Sequence, residues 1–169
     1  PDTPAVYFLP ASLVENKMTN VIISNDKDGE VKGFAKQQLG FFESLEIKNK
    51  IAVSGASAYL TAARNNYPEE LEIVGLALDS FQTDEGGVEI NFDFKMKTFK
   101  DADLVYFTPM LSEAMKANPF YEAERIYPVE MPYSQNNIYI LKMEIPKGYE
   151  VEELPKQARV KLNGDEGMF

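Results

Sequence analysis

Residues 118–155 read NPFYEAERIYPVEMPYSQNNIYILKMEIPKGYEVEELP, and this stretch decides the fold that we predict. Its centre, Asn136–Ile145, has one strongly apolar face at every second residue, which alternates with Ile140, Lys142 and Glu144 and is typical of a strand. The residues on that face are Tyr139, Leu141, Met143 and Ile145. Pro146 and Gly148 then favour a turn, because proline cannot donate to a strand ladder and glycine tolerates a positive φ.

A second extended segment, Arg125–Tyr133, comes before this strand. It contains Pro128 and Pro132, which suit the edge of a sheet better than its centre. We predict that Ser134–Asn137 closes a hairpin between the two segments, since asparagine and serine are frequent turn formers. Few side chains in the whole stretch could react, so it is typical of a scaffold.

Composition narrows the possible functions. The chain has 169 residues, of which 44% are hydrophobic, enough for one domain or two small ones with a packed core. Its 27 acidic and 17 basic residues give a net charge of −10, which disfavours nucleic acid or an anionic membrane as a partner. No apolar run approaches the roughly 18 residues of a membrane span. The chain opens PDTP without a Met, so we expect an excised fragment, and the missing signal peptide says nothing about secretion.

The chain contains no Cys and no His. Catalysis by Cys-His or Ser-His-Asp needs an imidazole to move the proton, so both are excluded within this chain, as are zinc sites of thiolate and imidazole. The acidic run Asn25–Gly29 does not fit a calcium loop, because Ala35 would fall where the closing glutamate belongs. We predict no catalytic residue, no metal site and no cofactor.

The sequence pattern of the first hundred residues predicts two strands, a helical region and two more strands. A hairpin is expected from Thr19–Ser24 and Glu30–Leu39 around the Asn25–Gly29 turn. A short helical start is expected at Phe41–Leu45. A helix with Ser54 as its N-cap then follows. Its buried stripe is Ala56, Tyr59, Leu60 and Ala63.

Three further strands are expected after that helix. Leu71–Leu78 changes parity at Gly75, which indicates a bulge. Val88–Lys97 alternates most clearly, and its polar face, which includes Glu89 and Asp93, is typical of a solvated charged surface. Asp103–Thr108 is predicted as another strand.

Together these patterns predict a mainly β, α+β fold: antiparallel β-sandwich-like sheets with one or two short helices packed on them. We divide the chain into a lead-in segment at 1–18, a ββαββ unit at 19–100 and a C-terminal β unit at 101–169. The two units could also form one continuous domain.

The C-terminal half resembles a known type of module. The motifs are NPF at 118–120, Arg125 with YPV at 127–129, IPKGY at 145–149 and LP at 154–155. In this series the chain is similar to a module of unknown function that follows a transglutaminase-like, papain-type core in exported bacterial multidomain proteins. The strands and helix of the N-terminal half resemble the region that those proteins carry after the core.

The resemblance implies a non-catalytic accessory or interaction module, periplasmic or on the cell surface, whose partner is the upstream core of the same polypeptide. The catalytic Cys, His and Asp would lie in that core, so no catalytic role transfers to this chain. The resemblance also leads us to expect a further strand or hairpin after Phe169.

A carbohydrate- or peptidoglycan-binding module is the alternative function, and a peptide is a further possible ligand. Tyr121, Tyr127 and Tyr133 lie in proline-rich segments where exposed rings could stack on sugars, although rings of this kind more often close a core. Arg125 could contact a ligand or partner, or could instead hold its own segment in place. A hydrolase that uses two carboxylates is a third class, but no spacing here predicts the pair.

Overall fold

The computed structural model describes residues 14–26, 30–80, 87–97, 103–113, 133–162 and 167–168, and a five-stranded sheet forms the centre of the fold. Its strands are β1 (Val14–Asn25), β2 (Val31–Gln38), β3 (Leu71–Asp79), β4 (Glu89–Met96) and β5 (Ser134–Met143). Their order across the sheet is β3-β4-β2-β1-β5. The other elements are helices α1 (Phe41–Ser54) and α2 (Ala56–Arg64), a 3-10 turn at Leu111–Glu113, and a small pair of strands, β6 (Lys161–Leu162) and β7 (Gly167–Met168).

Two predicted features of the sheet are confirmed. β1 and β2 form the expected antiparallel hairpin, with Val21 opposite Ala35. β3 and β4 are also antiparallel, and their register shifts between Ile73 and Gly75, where the change of parity predicted a bulge. Local sequence patterns therefore determine both hairpins.

One face of the sheet carries the core. Alternate residues of neighbouring strands point to this face, and both helices cover it. The fully buried side chains of the strands include Val21, Ile23, Val31, Ala35, Phe92 and Phe94. Ile47 of α1 joins them, with Tyr59 of α2 packed alongside. Burial of this alternating set is the main source of stability for the sheet.

The helical region differs from the prediction at its middle. α1 runs for 14 residues and is much longer than the expected start at Phe41–Leu45. The N-cap of α2 is Gly55, whose φ of 82° interrupts the helix, so the prediction of Ser54 as N-cap is wrong. The Ser54 hydroxyl instead donates to the carbonyl oxygen of Lys50 at 2.8 Å, within α1.

A buried carboxylate fixes the start of α1. Glu15 of β1 is 1% exposed, and its two oxygens accept hydrogen bonds from the backbone N–H groups of Phe42 at 2.9 Å and Glu43 at 3.0 Å. These donors have no partner within a helix, and the positive end of the helix dipole favours the negative charge. A Cβ at Gly40 would lie 2.6 Å from the Glu15 carboxyl carbon, so this close approach requires glycine.

The position of β5 corrects the predicted hairpin. Ser134–Asn137 is the first part of β5 and lies parallel to β1, so the prediction of a turn there is wrong. Asn136 donates to the side-chain oxygen of Asn16 on β1 at 3.0 Å. Asparagine is a frequent turn former, which explains the error, but here its amide joins two strands. Residues 125–132 of the extended segment that was predicted before this turn lie outside the described residues.

The far end of the β1–β5 pair is closed by a second asparagine. The side-chain amide of Asn25 donates to the carbonyl oxygens of Glu144 at 3.3 Å and Ile145 at 3.2 Å. In return, the Glu144 carboxylate accepts the backbone N–H of Asn25 at 3.1 Å. β5 therefore ends at Met143, two residues before the predicted end, and remains aligned with β1 along its length.

The segment 103–113 crosses the helix-covered face of the sheet. Phe107 and Leu111 pack against the core, and the carbonyl oxygen of Pro109 accepts a hydrogen bond from the Tyr139 hydroxyl at 2.7 Å. The predicted strand at Asp103–Thr108 is therefore wrong: this part of the chain lies on the sheet instead of joining its edge. It lies between β4 and β5, two strands that β1 and β2 separate in the sheet.

The mainly β, α+β class with helices packed on the sheet is confirmed, although the main sheet is mixed because β5 is parallel to β1. The sandwich-like arrangement and the division at residues 18 and 100 stay predictions. Residues 1–13, most of the predicted lead-in segment, lie outside the described residues.

Replacing Glu15 tests the contact on which α1 depends. We expect Glu15→Gln to lower the free energy of unfolding by about 2 kcal/mol, because an amide NH₂ would then face a backbone N–H that has lost its charged acceptor. The matched control is Glu46→Gln in the exposed i,i+4 pair with Lys50, for which we expect a loss below about 0.5 kcal/mol. Urea unfolding curves measure both, and equal losses would contradict the role given to Glu15.

Candidate functional site

A cleft of about 680 Å³ opens on the helix-covered face of the sheet. The sheet forms its floor, α2 and the turn after it form one wall, and Glu113 closes another side. The floor carries Lys17, Gln37, Leu76, Leu78, Ile90 and Asn137. The helix wall carries Tyr59, Leu60, Ala63, Asn65, Asn66 and Tyr67. Polar and aromatic side chains from separate parts of the sequence therefore meet at one place.

The Glu113 carboxylate is the centre of a hydrogen-bond network at the edge of this cleft. One of its oxygens accepts from the Thr19 hydroxyl at 2.5 Å and from the side-chain amide of Gln37 at 2.7 Å. Its other oxygen lies 3.4 Å from the Lys17 ammonium. Lys17 is also 3.4 Å from a carboxylate oxygen of Glu43. This network ties the crossing segment 103–113 to β1, β2 and α1.

Three tyrosines surround the network. Burial raises the pKa of Tyr67 well above its ordinary value, and its ring packs against Phe92 with the centroids 4.6 Å apart. Burial, with a smaller contribution from the Glu113 charge, raises the pKa of Tyr139 to about 12. Burial also raises the pKa of Tyr59. All three hydroxyls therefore stay protonated at neutral pH, when they can donate hydrogen bonds.

The opposite face of the sheet has an apolar half. We call it the outer strip: Val14, Ile22, Phe34, Ile138 and Ile140, whose exposed fractions lie between 40% and 53%. Ile22 stands directly opposite Phe34 across the β1–β2 pair, and Ile140 is its diagonal neighbour on β5. The register places Asn20 and Lys142 among these residues on the same face, so the strip is an apolar surface over three strands that polar side chains interrupt.

The other half of the outer face is charged. Lys36 pairs with Glu89 at 2.7 Å, and the Glu30 carboxylate lies 3.3 Å from Lys32 and 3.4 Å from Lys95. Hydrogen bonding to Lys32 and then to Lys95 lowers the pKa of Glu30, and hydrogen bonding to Lys36 lowers that of Glu89. This half is the solvated charged surface that the alternation of β4 predicted.

Of the four predicted ligand or partner contacts, Tyr133 lies within the described residues. Its ring is half-buried and stacks on Phe42 of α1, with the centroids 4.1 Å apart and the planes 3° from parallel. One face of the ring is therefore already covered. Tyr121, Arg125 and Tyr127 lie outside the described residues, and their predicted roles stay predictions.

Residues 103–169 match the family model described as "Domain of Unknown Function with solved-structure structure (DUF3858)". The match covers β5 and the crossing segment, and it supports the resemblance of the C-terminal half to a module of unknown function. Neither a curated protein nor a solved structure shows significant similarity to the chain.

The described residues contain neither a candidate metal site nor a helix that could cross a membrane. No group of three or more acidic side chains within these residues has the arrangement of a metal site. No helix in the same part of the chain is both long and apolar enough to cross a membrane.

The network of Glu113 and the outer strip were not predicted from the sequence. Glu113 bonds to residues 76 and 94 positions away, so no local pattern reveals the contact. The outer strip had a visible signal in β5, where Ile138 and Ile140 alternate with the buried Tyr139 and Leu141. An apolar residue on both faces of a strand indicates that both faces are covered.

The raised pKa of Tyr139 predicts a loss of stability in alkali. The unfolded chain ionises this tyrosine near pH 10 and the folded chain near pH 12, so its contribution is complete below pH 10 and is lost as the pH rises toward 12. We expect Tyr139→Phe to cost about 1 kcal/mol at pH 8, where the bond to Pro109 is lost, and to reduce the further loss between pH 9 and pH 11.

Unfolding curves at these pH values measure the effect. The control is Tyr106→Phe, which changes a ring that is 88% exposed and should leave the stability at pH 8 unchanged. The assignment to Tyr139 is refuted if Tyr139→Phe loses as much stability as the wild type between pH 9 and pH 11.

Proposed function

We propose that this chain is a non-catalytic accessory and interaction module of an exported bacterial protein, next to a transglutaminase-like or peptidase-like core. The family match over residues 103–169 supports the kinship with a module of unknown function. The motif series from residue 118 to residue 155 supports the association with such a core, and through it a periplasmic or cell-surface location.

The observation that carries the interaction role is the division of the outer face. Ion pairs of Lys36 with Glu89 and of Lys95 with Glu30 cover the charged half, whereas the outer strip, with four of its five residues on β1 and β5, exposes large aliphatic and aromatic side chains. Large apolar side chains grouped on an exposed face mark protein contact sites. The chain has a net charge of −10, yet each of the five residues of the strip is uncharged. A folded protein with an apolar patch is therefore the partner that fits.

The location of the strip favours a partner that precedes the chain in the same polypeptide. Val14 is both the first residue of β1 and a member of the strip, so residues 1–13 lead into the sheet at the end of this surface. A core domain joined through that segment would have a high effective concentration at the strip. We propose the upstream core as the occupant.

The cleft gives no support for a catalytic role. Both oxygens of Glu113 accept hydrogen bonds or pair with Lys17, and Lys17 lies between two carboxylates. A general base needs a free lone pair directed at substrate, and a nucleophilic lysine needs an amine that is free of ion pairs. The geometry instead suits a network that holds the crossing segment in place. Since the chain has no His and no Cys, the stronger nucleophile pairs are missing as well.

Stacking of sugars on Tyr121, Tyr127 and Tyr133 is the weaker candidate. The Tyr133 ring already has Phe42 against one of its faces, which leaves less of it for a ligand. We therefore give the protein-contact role priority.

Calorimetric titration of the chain with its upstream core domain tests the proposal. We expect saturable binding that Ile22→Lys or Ile140→Lys weakens by roughly tenfold or more, because each change buries a charge in an apolar contact. The matched control is Val74→Lys on β3, an exposed valine of the same sheet outside the strip, which should bind as the wild type does.

Three results would overturn the proposal. They are a polypeptide with no such core before the chain, no binding between the two domains, and binding that the strip variants leave unchanged. Thermal unfolding of each variant must match the wild type, so that loss of binding reports the surface and not the fold.

A further inference from the structure

The cleft on the helix-covered face has polar groups that the fold does not use. Asn65, Asn66 and Asn137 line it and are exposed, and their side-chain amides make no hydrogen bond within the described residues. The hydroxyl of Tyr67 also has no partner there, although its ring is largely buried against Phe92. These groups come from two separate elements, the turn after α2 and strand β5, and they border the same space.

The charges at the cleft disfavour a charged ligand. Lys17 is the cation of the lining, and it is held between Glu43 and Glu113, so it cannot turn toward an incoming phosphate or carboxylate without breaking both pairs. The two carboxylates and one ammonium leave one net negative charge, which repels an anion. A cation finds both oxygens of Glu113 already engaged. A neutral ligand avoids both costs.

Amides and tyrosine hydroxyls both donate and accept hydrogen bonds, which is also true of the hydroxyls of a sugar. The ring of Tyr59 is half-buried on the helix wall and presents an apolar surface beside them. A volume of about 680 Å³ lies within the range of small-molecule sites in proteins, and this lining is more polar than is usual for apolar ligands. Hydroxyl-rich ligands combine polar edges with apolar ring faces, as this lining does.

We propose that the cleft binds a neutral, hydroxyl-rich ligand of the carbohydrate class. The amides of Asn65, Asn66 and Asn137 bond its hydroxyls, and Tyr59 contacts the apolar face of a sugar ring. Tyr67, fixed by Phe92, supplies one further hydroxyl. Lys17, Gln37 and Glu113 hold the floor and the side of the cleft in shape through their bonds to one another.

This site is independent of the outer strip, because the two lie on opposite faces of the sheet. Binding to the upstream core and binding to a sugar are therefore separate properties, and an experiment can find either one without the other. A chain that binds its core and no sugar overturns the inference drawn from the cleft and leaves the proposed function standing. A chain that binds a sugar and not its core overturns the proposed function and leaves the inference drawn from the cleft standing.

The test follows the side-chain amide signals of the chain by ¹H–¹⁵N NMR during titration with defined probes. The neutral probes are maltotriose, the trimer of N-acetylglucosamine and a soluble peptidoglycan fragment, which together separate a general glycan site from one for the cell wall. A sulfated oligosaccharide is the anionic comparison. We expect a neutral probe to shift the amide signals of Asn65, Asn66 and Asn137 in a saturable way, and the sulfated probe to leave them unchanged.

Substitution then locates the contact. Asn66→Ala with Asn137→Ala should weaken binding of the neutral probe by about tenfold, since two hydrogen bonds are lost. Tyr59→Leu should weaken it as well, whereas Tyr59→Phe, which keeps the ring, should retain most of the affinity. The control is Asn49→Ala, an exposed asparagine of α1 outside the cleft, which should bind as the wild type does.

The inference is overturned if no neutral probe shifts these signals up to its solubility limit, or if the sulfated probe binds more tightly. It is also overturned if the double asparagine variant binds a neutral probe as the wild type does. The amide spectrum of each variant shows whether it is folded. The three amide signals report the site in the wild type even where a variant loses stability.

Discussion

The contact between Glu15 and the start of α1 determines the layout of the molecule. A carboxylate on the inner face of β1 accepts two backbone N–H groups of the helix, and Gly40 lets the chain approach it. Because Glu15 is buried, its charge is tolerable only while those donors stay in place. The helix is thereby fixed to one face of the sheet. α2 follows on that face, and the opposite face is left to serve other contacts.

The two faces of the sheet are stabilised by different physical means. On the helix-covered face, apolar burial is supplemented by the network of Thr19, Gln37, Lys17 and Glu113, in which each charge has a partner. On the outer face, lysines and carboxylates pair along β2 and β4, and the outer strip lies beside them. The polar network shapes the cleft and the division of the outer face isolates the strip, so each surface has its own chemistry.

Sequence patterns correctly predicted the features that depend on interactions between residues close in sequence. The alternation of Val88–Lys97, the hairpin around Asn25–Gly29 and the bulge near Gly75 depend on neighbours in sequence, and the structure confirms them. The turn at Ser134–Asn137 was wrong because the same asparagine amides that close turns can also bridge strands. The bonds of Glu15 and Glu113 reach 27 and 94 residues along the chain. No periodic pattern in a sequence indicates contacts at such separations, so the cleft could not be predicted from the sequence.

The parallel pairing of β1 with β5 has a consequence for the order of folding. Both hairpins join strands that are close in sequence, whereas Asn16 and Asn136 meet across 120 residues. Closing so long a loop costs entropy that local pairing avoids, so contacts of high sequence separation form slowly. During synthesis β1 also leaves the ribosome long before β5 has been made. Until β5 arrives, that side of β1 is an open edge with unpaired backbone groups, and this is the interval in which a nascent chain is most exposed to mispairing.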